Sequence, residues 1–156
     1  MKHIILLLTI ALLSSQGFAQ QQSAPGIGCI DKDIVLRIDD VKHSYIEKGL
    51  KIYKDAMVTM ESEVPYSIEV KLQKNIKYRF LYMGSDISAK SSIELYDGDD
   101  KLVTKKEIAR SEQPGYIAFD YTPAKTDVYL VILNQKQKHA TMCGSFTILQ
   151  GQSMIK

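Results

Sequence analysis

His139 and Cys143 stand four residues apart near the end of the sequence, a spacing that can bring an imidazole and a thiol together. Such a pair serves as metal ligands or as a base and its nucleophile. No further His or Cys lies close by, so the remaining metal ligands and the group that would orient a base are both missing from the local sequence. Cys143 has a second use. Cys29 is the only other cysteine, and in an oxidising compartment two cysteines more often form a bridge than a site. A Cys29–Cys143 disulfide would tie the N-terminal segment to the last strand across a loop of more than a hundred residues. In the chain-entropy treatment a loop of that size contributes on the order of 4 to 5 kcal/mol.

Two other constellations carry chemistry. Asp97, Asp99 and Asp100 surround Gly98. Carboxylates at alternating positions about a glycine could hold Ca²⁺ if the fold adds further oxygens. The same residues also make a solvated hairpin turn, and Lys101 adjoins them with no twelve-residue EF-hand pattern in view. Nine tyrosines without a tryptophan raise polysaccharide binding by aromatic stacking. Tyr78 and Tyr82 share a strand face with Phe80, and Tyr129 lies on another strand; the alternative is a core row whose phenol oxygens reach the rim. His43 belongs on the solvated side of a helix, and no G-x-S-x-G, H-E-x-x-H, C-x-x-C or glycine-rich phosphate loop is present. A non-catalytic protein is expected.

The elements that must position these groups begin with a leader. Lys2 and His3 precede the apolar run 4–13, and Gly17-Phe18-Ala19 supplies a small-x-small cleavage site, the order of a secretory signal peptide (residues 1–19). The run is well short of the ~20 residues that cross a bilayer, so no membrane span is expected after cleavage. The Ala19-Gln20-Gln21-Gln22 junction resembles those of exported Bacteroidetes proteins. Loss of the leader removes Lys2 and no acid, so the formal charge falls from +2 to +1, with both signs interspersed; nucleic acid is not an expected partner. Residues 20–30 read as a flexible lead-in and residues 31–156 as one domain with one core.

Ile34, Ile38, Val41 and Tyr45 recur at helical spacing, Asp31 and Asp33 suit a first turn, and Gly49 suits a stop. This predicts an amphipathic helix lying over one end or edge of a sheet. Beyond Gly49 the period shifts toward two. Strands are expected at 50–60, 67–72, 77–83, 91–96, 102–108, 115–121, 127–134 and 142–150. Residues 50–60 also admit a helix, because Tyr53, Met57 and Met60 fit one helical face. In 127–133 both faces are apolar, as in a central strand covered on both sides, and the helix is the expected second cover. Lys105-Lys106 and the stretch 136–138 read as basic patches that keep edges soluble. The fold class is mostly β: an antiparallel, jelly-roll-like sandwich of seven or eight strands with one N-terminal helix.

Ser67-Ile68-Glu69-Val70-Lys71-Leu72, Lys77-Tyr78-Arg79-Phe80, Ile93-Glu94-Leu95-Tyr96-Asp97, Ile117-Ala118-Phe119-Asp120-Tyr121-Thr122-Pro123 and Asp127-Val128-Tyr129-Leu130-Val131-Ile132 together resemble bacterial pre-peptidase C-terminal domains. These are small secreted β-sandwiches found beside exported enzymes, and the likeness spans about residues 57–149. Asp127 stands where that family usually has Gly, and no peptidase segment accompanies the domain. The resemblance implies a binding or accessory module with no catalytic residues to carry over. The expected partner is an envelope or secreted protein, in the periplasm or outside the cell; the alternative is a polysaccharide, with or without Ca²⁺.

Overall fold

The computed structural model describes Cys29, residues 31–138 and residues 141–151. The expected leader, most of the lead-in and His139 lie outside the described residues. One helix and eight strands follow in order: α1 (Lys32–Ile46), β1 (Lys51–Glu61), β2 (Tyr66–Leu72), β3 (Tyr78–Gly84), β4 (Lys90–Tyr96), β5 (Leu102–Ala109), β6 (Ile117–Tyr121), β7 (Asp127–Lys136) and β8 (Thr141–Gln150). They form two four-stranded antiparallel sheets, ordered β1-β8-β3-β6 and β2-β7-β4-β5.

The helix begins where its first free amides find an acceptor. Asp31 caps it from an extended backbone, its Oδ1 accepting from the amides of Asp33 at 3.1 Å and Ile34 at 3.2 Å. It ends at Ile46 with Glu47 as its C-cap, and the chain turns away at Gly49, whose φ of +88° is open to glycine at little cost. Ile34 and Ile38 are fully buried and Val41 and Tyr45 half-buried, the stripe read from the sequence.

Residues 51–61 are strand, and the helical alternative fails for a specific reason. Ala56, Val58 and Met60 share one face and enter the core between the sheets, whereas Met57 turns to the opposite face, beneath α1. The three residues that suggested a helix therefore divide: Tyr53 sits at the exposed edge and donates its hydroxyl to the carbonyl of Lys71. Lys54 Nζ donates to the carbonyl of Glu69 at 3.1 Å. These two side chains occupy backbone acceptors of β2, an edge strand, and so blunt that edge.

Seventeen buried residues form the core between the sheets. Phe80 lies at its centre, stacked on Phe119 at 4.9 Å between centroids and tilted against Phe146 at 6.4 Å. A second, smaller layer of Ile34, Ile38, Leu81, Met83 and Leu149 joins α1 to the outer face of the first sheet, over β8 and β3. This corrects the expected cover for β7. The helix covers the other sheet, and β7 keeps the outer side of its apolar alternation, with Val128 exposed and Leu130 and Ile132 partly so.

Cys29 and Cys143 are bridged, the pairing expected from the sequence. The thiol that the His139–Cys143 reading required is thereby consumed.

At one end of the sandwich a buried glutamine joins three segments. Gln135 Nε2 donates to the carbonyl of Cys143 at 2.8 Å, and its Oε1 accepts from the Ser85 amide at 2.8 Å. Gly144 leaves room for this arrangement, since a Cβ there would stand 3.0 Å from Gln135 Nε2 and 3.1 Å from Tyr82 Cε2. Gln135→Leu strips both partners while keeping the bulk, and it is expected to destabilise the protein by about 1–3 kcal/mol. Urea unfolding monitored by circular dichroism measures this, and an unchanged midpoint would mean the clamp has no net value.

Candidate functional site

Among the described residues no element packs over the outer face of the second sheet. The cause is in the strand alternation: β2 turns Ser67, Glu69 and Lys71 outward, β7 turns Val128, Leu130, Ile132 and Asn134, and β4 turns Ser92, Glu94 and Tyr96. Register places Glu69 beside Leu130 and Leu130 beside Tyr96, with Ile132 beside Glu94. An apolar row on the central strand is thus flanked by polar residues on both neighbours.

On the β4–β5 side the flank is a chain of paired charges. Lys105 Nζ lies 2.8 Å from Glu94 Oε1 and 3.4 Å from Glu107 Oε1, Lys90 Nζ lies 2.5 Å from Glu107 Oε2, and the Tyr96 hydroxyl donates to Glu94 Oε2 at 2.7 Å. The hydrogen bond from Lys105, followed by that from Tyr96, holds the Glu94 carboxyl below the ordinary range. Lys90 first, then Lys105, does the same for Glu107. Lys105 is raised in return, chiefly by Glu94. The residue read as an edge solubiliser is therefore the hub of a ladder between two strands, a cross-strand pairing that fixes how the surface presents its charges.

Next to the ladder, Ser92, Glu94, Lys105, Glu107 and Asn134 line a shallow recess of about 200 Å³. Asn134 Oδ1 is covered there and has no hydrogen-bond partner among the described residues.

The residues singled out in the sequence lie elsewhere. Tyr78, Tyr82 and Tyr129 are at most 1% exposed, so they offer no ring face to a sugar; the core alternative holds for all three. Burial raises each phenol above its ordinary range. The Tyr78 oxygen reaches the rim, where it accepts from the Gln73 amide at 3.1 Å.

Asp97, Asp99 and Asp100 form a turn in which Asp97 is bonded to backbone amides and Asp99 is paired with a lysine. Asp97 Oδ1 accepts from the amides of Asp99 and Lys101, both at 3.0 Å, and Asp100 takes a φ of +57°. Lys125 Nζ sits 3.0 Å from Asp99 Oδ2 and 2.8 Å from Asp127 Oδ2, supplying the positive charge that a calcium ion would bring. Among the described residues no three His, Cys, Asp or Glu side chains group as metal ligands. Asp127, at the position where a glycine was expected by resemblance, accepts from the Val128 amide and pairs with Lys125. His43 is exposed on the helix, 3.3 Å from Glu47.

Sequence reasoning missed the face because it read the apolar alternation of β7 correctly and assigned its cover to α1. The outward row was visible; the sheet on which the helix would land was not.

No protein-family model matches the sequence, and no curated protein matches it at a significant level. Solved structures similar in shape include a Bacillus endospore appendage from a family of disulfide-linked pili, at 12% identity and TM-score 0.43, covering 65% of this chain and 87% of that one. Another is PliG of Aeromonas hydrophila, a periplasmic lysozyme inhibitor of g-type lysozyme, at 7% identity and TM-score 0.46, covering 66% and 89%. A third is a CBM4 structure, at 13% identity and TM-score 0.44, covering 67% and 79%. Values this low transfer no ligand, and function rests on the chain's own surface.

The charge ladder makes the face acid-sensitive. Glu94 and Glu107 titrate in the folded protein below their ordinary 4.5. The stability they contribute is therefore present above that value and is lost as pH falls through the depressed folded values. Between pH 7 and about pH 3, Glu94→Gln is expected to lose less stability than the parent, read from urea midpoints at the two pH values. Equal losses would show that the ladder does not contribute.

Proposed function

We propose that the protein is a non-catalytic binding module of the cell envelope or secreted space, and that it grips a protein partner through the outer face of β2-β7-β4-β5. The observation that carries this reading is the asymmetry of the sandwich: α1 covers one outer face, while the other keeps Val128, Leu130 and Ile132 beside a fixed charge ladder. An exposed apolar row with a polar rim is the composition of a protein-interaction surface. A strand and turn order similar to pre-peptidase C-terminal domains is in keeping with an accessory role, and the bridge between Cys29 and Cys143 with an oxidising compartment.

Polysaccharide binding is the competing reading. After burial of the three nominated tyrosines, it rests on Tyr96 as the tyrosine of this face.

A photo-crosslinking residue at Val128, which is 46% exposed, tests the face with little risk to folding. A defined protein adduct is expected from Val128 in the producing cell, and none from a control at Leu36, which is 67% exposed on the helix. Adducts of equal yield at both positions, or none at Val128, would overturn the proposal. Retarded migration of the purified chain through a polysaccharide gel, abolished by Tyr96→Ala, would move the reading to glycans.

A further inference from the structure

The helix layer differs from the rest of the molecule in how it is held. Seventeen buried residues fill the space between the sheets, whereas the layer under α1 has five buried residues and six half-buried ones. That layer is also partly polar. Lys42 Nζ lies 2.8 Å from Asp55 Oδ2, with its side chain only 10% exposed, and Thr147 Oγ1 donates to Asp55 Oδ1 at 2.7 Å. Ser145 Oγ is buried on the same strand with no hydrogen-bond partner among the described residues. A helix of 15 residues is marginal without tertiary support. Small apolar burial and a buried hydroxyl without a partner lower the cost of opening α1 relative to the core between the sheets.

Two covalent anchors oppose that opening. At its C-terminal end α1 runs through Gly49 directly into β1, and two residues before its cap Cys29 is bridged to Cys143 of β8. Both cysteines are half-buried, so a thiolate can approach the bridge. With the bridge intact, α1 is tied to the sheet it covers at both ends. Without it, the helix is a flap hinged only at Gly49.

We propose that the Cys29–Cys143 disulfide is a redox latch for α1. A dithiol reductant attacks one sulfur through its thiolate, forms a mixed disulfide, and is displaced by its own second thiol. It leaves as a disulfide, while the protein gains two electrons and two protons as a pair of thiols. In the reduced protein α1 lifts from β3 and β8, baring Leu81, Met83 and Leu149, while the two-sheet core stays folded.

Linkage makes the idea measurable, because two events that stabilise one another must do so reciprocally. If the bridge holds the docked helix, weakening the docking must make the bridge easier to reduce. The full chain, purified from an oxidising compartment, would be equilibrated in dithiol–disulfide buffers and its free thiols counted. Ile38→Ala, under the helix, is expected to shift the reduction equilibrium at least fivefold toward the dithiol form. Val131→Ala, between the sheets, is expected to leave it within twofold. Equal shifts from both variants would make the disulfide a staple for the whole fold rather than a latch, and no shift from Ile38→Ala would remove the coupling; either result overturns the proposal.

Amide exchange supplies a second readout on the unmutated chain. In the reduced protein the amides of residues 35–45 are expected to exchange at least tenfold faster than those of residues 130–133, with a rate insensitive to sub-denaturing urea. In the oxidised protein that gap should shrink to threefold or less. A gap of the same size in both states would overturn the latch.

Discussion

A strand buried on both faces needs a cover on both sides, and β8 imposes that condition on this chain. Residues 144–149 are buried without interruption, Phe146 and Ile148 facing the second sheet while Ser145, Thr147 and Leu149 face the helix. Exposing one face of such a run to solvent gives up apolar burial. Its partners follow from it: β1 and β3 flank it, the second sheet closes over one side, and α1 covers the other. The helix is therefore part of the first sheet's packing rather than an appendage. The single disulfide of the chain ends on that same strand.

β8 also shows why its cover is unusual in composition. Ser145 and Thr147 would be outward polar positions in an open sandwich. Under a helix they require partners, and Asp55 and Lys42 supply one set of them. The Lys42–Asp55 pair costs desolvation and returns specificity of seating, since a shift of the helix would carry the largely buried Lys42 away from Asp55 and leave it only Asp39 of its own helix. Burial here fixes a position more than it adds stability.

Much of this was legible in the residues. All eight strands lie where period-two alternation and Gly, Asp or Pro turns put them, and the helix has the apolar stripe and glycine stop read from Ile34 to Gly49. Local pattern specifies local structure because strand and helix periods differ too much to be confused over a long segment. Residues 51–61 were the ambiguous case. Their apolar side chains serve two different layers, and mixing the two sets imitates a helical face. The destination of the helix was not legible, because β7 and β8 both carry apolar or small residues on both faces, and only the assembled sheets distinguish which of them α1 covers. The candidate face was lost for the same reason, and Lys105, readable as an edge charge, acquires its role only when β4 brings Glu94 alongside it.

The two outer faces obey opposite physical conditions. Under α1 every polar group must find its partner inside the chain, and one of them, Ser145, finds none among the described residues. On the second sheet the charges of Lys90, Glu94, Lys105 and Glu107 satisfy each other in solvent, so the ladder costs little to maintain and holds its geometry without a cover. A surface built that way is organised before anything lands on it, which reduces the ordering that binding must offset. In the proposed complex the apolar row of Val128, Leu130 and Ile132 would supply the driving force, since its burial is the gain that the free protein leaves unrealised. The covered face is held by packing and the uncovered one by ion pairs in solvent, which is why one sandwich presents two such different surfaces.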